Sequence, residues 1–255
     1  MENNSFLYMV EESNKELRSV ELGLTLAIGE YYTEALVFGK RKTNDKDGLW
    51  TSIKKFFVDL LANFQEFNRK IIAEVQYRVK RIITKISLKS VYKQALNSKE
   101  NGTKVIKVHN VARMVGVYNN AIIELSAIIK RVGKAEYTDL DKLDNDVDTF
   151  NKMINSTIIA VERLKNTTIN VSIDEYIKFL EREISGNSQV FSSLDLCERD
   201  IQLMQSEVLK LQTKRELLGP EVLAKKINIV KRISLGIVQF IKDCLTKLIL
   251  FINVL

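Results

Sequence analysis

The chain has 255 residues, with 39 Lys or Arg against 32 Asp or Glu for a formal charge of +7, and 45% of its residues are apolar. That apolar content excludes a disordered chain, and one proline with ten glycines excludes a strand-and-turn fold built on breakers. One histidine and two cysteines exclude a zinc cluster or a disulfide framework.

The opening MENNSFLYMVEES lacks a basic region followed by an apolar one, so it does not read as a signal peptide. Residues 5–38 carry helical spacing weakened at Gly23 and Gly29, and residues 1–38 are expected to form an N-terminal helical leader. The polar stretch GKRKTNDKDG (39–48) reads as a linker; its GKRK lacks the flanking pattern of a nucleotide-binding loop.

A long basic amphipathic helix is expected over 49–97. Trp50, Ile53, Phe57, Leu60, Phe64, Phe67 and Ile71 recur in steps of three and four, and Val75, Val79, Ile82 and Ile86 continue the stripe. The other faces carry Lys54, Lys55, Arg69, Lys70, Arg78, Lys80, Arg81, Lys85, Lys89 and Lys93 against Asp59, Glu66 and Glu74. The excess of +7 equals that of the whole chain. The first nine of these cations form the candidate surface for an anionic partner: a membrane surface, nucleic-acid phosphate or an acidic protein.

NSKENG (97–102) permits a chain reversal. Residues 104–132 keep helical spacing through Val105, Val108, Val111, Val115, Ile122, Leu125 and Ile129, although VIKVHNV has strand character. A helix is expected there, ended by Gly133. Leu140, Leu143, Val147, Phe150, Ile154, Ile158, Val161 and Leu164 make a near-heptad seam over 138–165. Ser172 and Glu175 form a capping box opening a helix over 173–185. A second seam, Leu194, Cys197, Ile201, Met204, Val208, Leu211 and Leu218, marks a helix over 194–218, and both cysteines read as buried small hydrophobes.

Gly219-Pro220 starts the segment 220–255. From Ile233 to Leu255 fifteen of 23 residues are apolar, but Lys242, Asp243 and Lys247 interrupt them, each costly at a membrane centre. Ser234, Gln239, Lys242, Asp243, Thr246 and Lys247 recur at roughly helical spacing, so a bundle helix is expected rather than a transmembrane span. The fold class is therefore all-α: an elongated multi-helix bundle with coiled-coil-like seams.

Sites for chemistry are sparse. His109 has no recognisable nucleophile context. Asp144, Asp146 and Asp148 have the alternating start of a calcium loop, but Thr149 stands at the expected glycine and Asn155 at the final glutamate. An acidic helix start is the better reading, and no enzyme, cofactor or small-molecule substrate is expected.

The string GLWTSIKKFFVDLLANFQEFNRKII (48–72), placed after a helical leader and a polar linker, resembles internal head or prohead-core proteins of large tailed bacteriophages over residues 1–95. The resemblance implies a structural protein in the virion interior or host cytoplasm, partnered by other virion proteins, by itself or by non-specific DNA. It also implies trimming after an Ile/Leu-small-Glu triplet, met at Ile28-Gly29-Glu30, which makes Glu30 the candidate cleavage point, and at Ile72-Ala73-Glu74. The alternatives are a membrane-interacting protein using 50–93 and 233–255, such as a pore former or host-membrane effector, and a coiled-coil adaptor.

Overall fold

The computed structural model describes residues 2–38, 46–87, 99–100, 103–134, 140–184, 189–214 and 219–252. Seven α-helices dominate these residues: α1 (Glu2–Phe38), α2 (Lys46–Ser87), α3 (Val111–Val132), α4 (Leu140–Leu164), α5 (Ile173–Phe179), α6 (Gln189–Lys214) and α7 (Pro220–Phe251). A π-helical turn, Leu180–Ile184, follows α5. The fold is an all-α multi-helix bundle carrying a small antiparallel sheet of order β1-β2-β3, with β1 Lys99–Glu100, β2 Thr103–His109 and β3 Thr168–Ser172. Of the linker expected at 39–48, residues 39–45 lie outside the described residues, as do Lys89 and Lys93, and Lys46–Gly48 are instead the first turn of α2.

The helix expected from residue 104 begins instead at Val111, after a strand. Val105, Val108, Val111 and Val115 fit a helical period by chance. The local alternation decides: Ile106 and Val108 are buried while Lys107 between them is exposed. Strand pairing with β3 runs Val105↔Ser172 to His109↔Thr168 and satisfies a β-branched backbone better than a helix would. Capping follows the sequence. The Ser172 side chain accepts from the Glu175 N–H at 3.2 Å, and Pro220 opens α7 with Gly219 O accepting from Leu223 N.

The chain divides into two compact units, and α2, α3, α4, α6 and α7 each contribute to both. The first comprises Met1–Phe67, Glu124–Met153 and Leu196–Phe240. Its core draws Phe6, Leu17 and Leu24 from α1 and Ile53, Phe57, Leu60 and Phe64 from α2. The later helices add Leu125, Phe150, Ile201, Met204, Val230 and Val238, all buried. Each such side chain contributes about 1.5–3 kcal/mol.

The leader is thus not a separate segment, and α1 is part of this core. Asn63 of α2 fixes it, donating to Ser13 O at 3.2 Å and Glu16 Oε2 at 2.7 Å. Helix α7 approaches α4 closely at Gly236, where a Cβ would stand 2.8 Å from Phe150 Cε1.

The second unit comprises Asn68–Ile123, Ile154–Asp195 and Ile241–Leu255. Ile71, Val75, Val79, Ile82 and Ile86 of α2 are buried there, with Ile106 and Val108 of the sheet and Ile241, Leu245, Leu248 and Ile249 of α7. His109 packs edge-on against Phe251, ring centroids 5.1 Å apart, and the Ser193 hydroxyl donates to Asn119 Oδ1 at 2.8 Å.

Two glycine substitutions separate helix propensity from packing. Gly116 of α3 has open space around a Cβ, so Gly116→Ala is expected to stabilise by about 0.5–1 kcal/mol. At Gly236 the propensity gain of about 1 kcal/mol is outweighed by overpacking of roughly 1–3 kcal/mol against Phe150. Gly236→Ala should therefore lower stability. Urea titration of both variants reads the two signs.

Candidate anionic-partner surface

The apolar stripe of α2 is spent inside the protein. Trp50 is 3% exposed, Ile53, Leu60, Phe64 and Ile71 are fully buried, and Phe57 and Phe67 are each 1% exposed. What α2 presents to solvent is its charge. Lys54 and Lys55 are exposed in the first unit, and Arg69, Lys70, Lys80, Arg81 and Lys85 are exposed in the second.

Arg78 departs from the expected surface. It is 9% exposed; its Nε donates to Glu74 Oε1 at 2.6 Å and its Nη1 to Ile249 O at 3.2 Å. That carbonyl belongs to the last turn of α7, where helical partners run out. Arg78 therefore joins α2 to the end of α7, and it lies one turn from Val75 and Ile82 at the edge of the buried stripe.

Other cations are also internal. The polar positions of α7 divide: Gln239, Asp243, Thr246 and Lys247 are half-exposed along one side with the exposed Glu221, Asn228 and Arg232, while others are internal. Ser234 and Lys242 are fully buried, Lys226 is 1% exposed and Lys231 is 5% exposed. Lys226 Nζ donates to Lys134 O at 2.7 Å, and Lys231 Nζ donates to Thr25 Oγ1 at 2.8 Å. Burial lowers the Lys231 pKa, opposed by the charge of Glu21. Lys247 is half-exposed and pairs with Glu162 at 2.6 Å, a contact that lowers the glutamate pKa.

The acidic run is helical. Asp144 pairs with Lys225 at 2.6 Å and Asp146 with Arg131 at 2.9 Å, both on α4. Among the described residues no group of three or more His, Cys, Asp or Glu is placed to hold a metal ion. Cys197 and Cys244 are free and buried, and burial pushes both thiols well above their ordinary range. A cavity of about 20 Å³ beside Tyr118, Asn119 and Cys244 has room for little more than one water. A larger groove of about 400 Å³ runs along Thr25, Ile28, Gly29 and Tyr32 of α1 and Glu221, Ala224, Lys225 and Asn228 of α7. Its Lys225 is already engaged by Asp144. Glu30 is exposed within α1, whereas Glu74 of the second triplet is held by Arg78.

Comparison with protein-family models, curated proteins and solved structures returns no match, so the residues alone carry the functional reading.

Two expectations follow from the internal charges. Arg78→Ala should cost about 2–3 kcal/mol in chemical denaturation, because it strands Glu74 and uncaps α7, while leaving binding to anions unchanged. Asp200 is 3% exposed, and burial raises its pKa, opposed by Ser126, Lys130 and Arg199. A raised carboxyl pKa means that the native state holds the proton more tightly than the unfolded chain. Stability is then lost as pH rises through the native pKa. Asp200→Asn is expected to be more stable than the parent at neutral pH, the difference shrinking as pH falls below the carboxylate range.

Proposed function

We propose that this chain is a non-enzymatic structural protein of a phage virion interior, whose exposed α2 cations meet an anionic partner such as packaged DNA, or acidic surfaces of portal or capsid. The observation that carries this reading is the separation of charge. The second unit spans eighteen Lys or Arg and nine Asp or Glu, a formal +9, leaving −2 for the first unit out of the total +7. Because the apolar face of α2 is buried, its charge is what it offers to a partner.

The same burial weighs against the rival readings. A membrane-active protein would need the Trp50 stripe or the end of α7 to reach lipid, and both lie in cores. No helix among the described residues is long and apolar enough to cross a membrane. The seams suggested for an adaptor or for self-association are largely occupied within the chain: Leu143, Val147 and Phe150 of α4, and Cys197, Ile201, Met204 and Val208 of α6, are buried, while Ile154 and Ile158 are half-buried.

Purified protein is expected to bind nucleic acid with an affinity that falls steeply with salt and is indifferent to sequence, read by fluorescence anisotropy. Trp50 emission should stay unchanged when anionic vesicles are added. Absence of salt-dependent binding would sink the proposal, and a blue shift of Trp50 would favour the membrane reading. Mass spectrometry of virions and proheads tests the location directly.

A further inference from the structure

The exposed cations of α2 in the second unit are not evenly spread. Four of the five, all but Lys85, form two dibasic pairs, Arg69-Lys70 and Lys80-Arg81, separated by eleven residues. Eleven residues are about three helical turns, so the pairs lie on one side of the helix roughly 16–17 Å apart. Between them the exposed positions are Ala73, Gln76 and Tyr77, with no acidic residue among the three. Glu74, the acid in this stretch, is taken up by Arg78. The result is a neutral strip bounded at each end by two cations.

Resting on the anionic-partner reading, we propose that residues 69–81 of α2 lie across the major groove of duplex DNA, one dibasic pair on each phosphate rim, with Gln76 and Tyr77 above the groove. The major groove of B-form DNA is about 12 Å wide between phosphate surfaces, which puts phosphate centres on its rims roughly 17–18 Å apart. The spacing of the pairs meets that distance, and Lys and Arg side chains absorb the residual difference. The minor groove, about 6 Å wide, is too narrow for it. The deep, narrow major groove of A-form RNA also presents a different rim spacing. A single glutamine supplies no base code, so the contact is specific for duplex form and not for sequence.

The test compares one sequence as duplex DNA, single-stranded DNA and duplex RNA, with anionic vesicles as a fourth arm, across a salt series with the full chain. Duplex DNA is expected to bind several-fold more tightly than the other three, with a log–log salt slope of about −3.6 for four phosphate contacts. The double variant Arg69→Ala/Lys70→Ala should bring the slope to about −1.8 and weaken duplex binding more than tenfold at low salt. Gln76→Glu keeps every cation but charges the strip, and should weaken duplex binding several-fold. Circular dichroism of both variants should match the parent, since the altered side chains are exposed. Equal affinity for duplex DNA, single strands and duplex RNA would overturn the groove geometry while leaving the anionic-partner reading intact, and needs no variant. Tighter binding to vesicles than to duplex DNA would overturn it also. No salt-dependent binding to any of these anions would instead overturn the underlying reading.

Discussion

Helix α7 leaves only a narrow stripe to water, with Glu221, Asn228 and Arg232 exposed and Lys225, Gln239, Asp243 and Lys247 half-exposed. Its residues Leu223, Ile227, Val230, Ile233, Val238, Ile241, Leu245, Leu248 and Ile249 are all buried, and together they cover roughly half of its circumference. Such a helix demands neighbours over most of its surface, and the other elements are arranged to supply them. The demand extends to its polar groups: a backbone carbonyl and a threonine hydroxyl oxygen accept hydrogen bonds from the Lys226 and Lys231 ammonium groups, and the Ser234 hydroxyl donates to Val230 O at 2.8 Å. Polar satisfaction and apolar burial are one requirement in α7, since an unmet ammonium would cost more than a lost methylene.

Helix α2 answers the opposite constraint. Half of its circumference is aromatic or aliphatic and buried, and the rest carries a density of positive charge that no neighbouring acid neutralises in sum across the second unit. Arg78 marks the border between these two halves. It is cationic by type but internal by position, and its pairing with Glu74 takes up one of the acids, beside Asp59 and Glu66, that dilute the charge of the helix. The electrostatic character of the outer face is therefore set partly by a contact on the inner one.

Much of the fold was legible because long helices repeat their period many times. The α2 stripe, the two seams, the Ser172 cap and the Gly219-Pro220 start all appear where spacing and capping chemistry place them. Three features were not legible, each for a physical reason. The β2 strand was masked because valines spaced by three also satisfy a helix over a short run, and only pairing with β3, more than sixty residues away, distinguishes them. The membership of α1 in the first core depends on Asn63 reaching Ser13 and Glu16, a contact fifty residues apart that leaves no local trace. Of the candidate cations, those on the outer arc of α2 are exposed as charge alone suggests; Arg78 required knowledge of what lies against α2, namely the end of α7.

The position of α7 in chain order has a consequence for biosynthesis. Both units draw core residues from it, the first up to Phe240 and the second from Ile241, and it follows every other described element. As the polypeptide emerges, helices α1 to α6 carry apolar faces for which the matching surface has not yet been made. The first unit cannot close until about residue 240 has left the ribosome, nor the second until about residue 250, so folding waits for contacts of large sequence separation. During that interval the nascent chain exposes two heptad-like seams and an aromatic stripe, a period in which it depends on chaperones or rapid release to escape association with its neighbours.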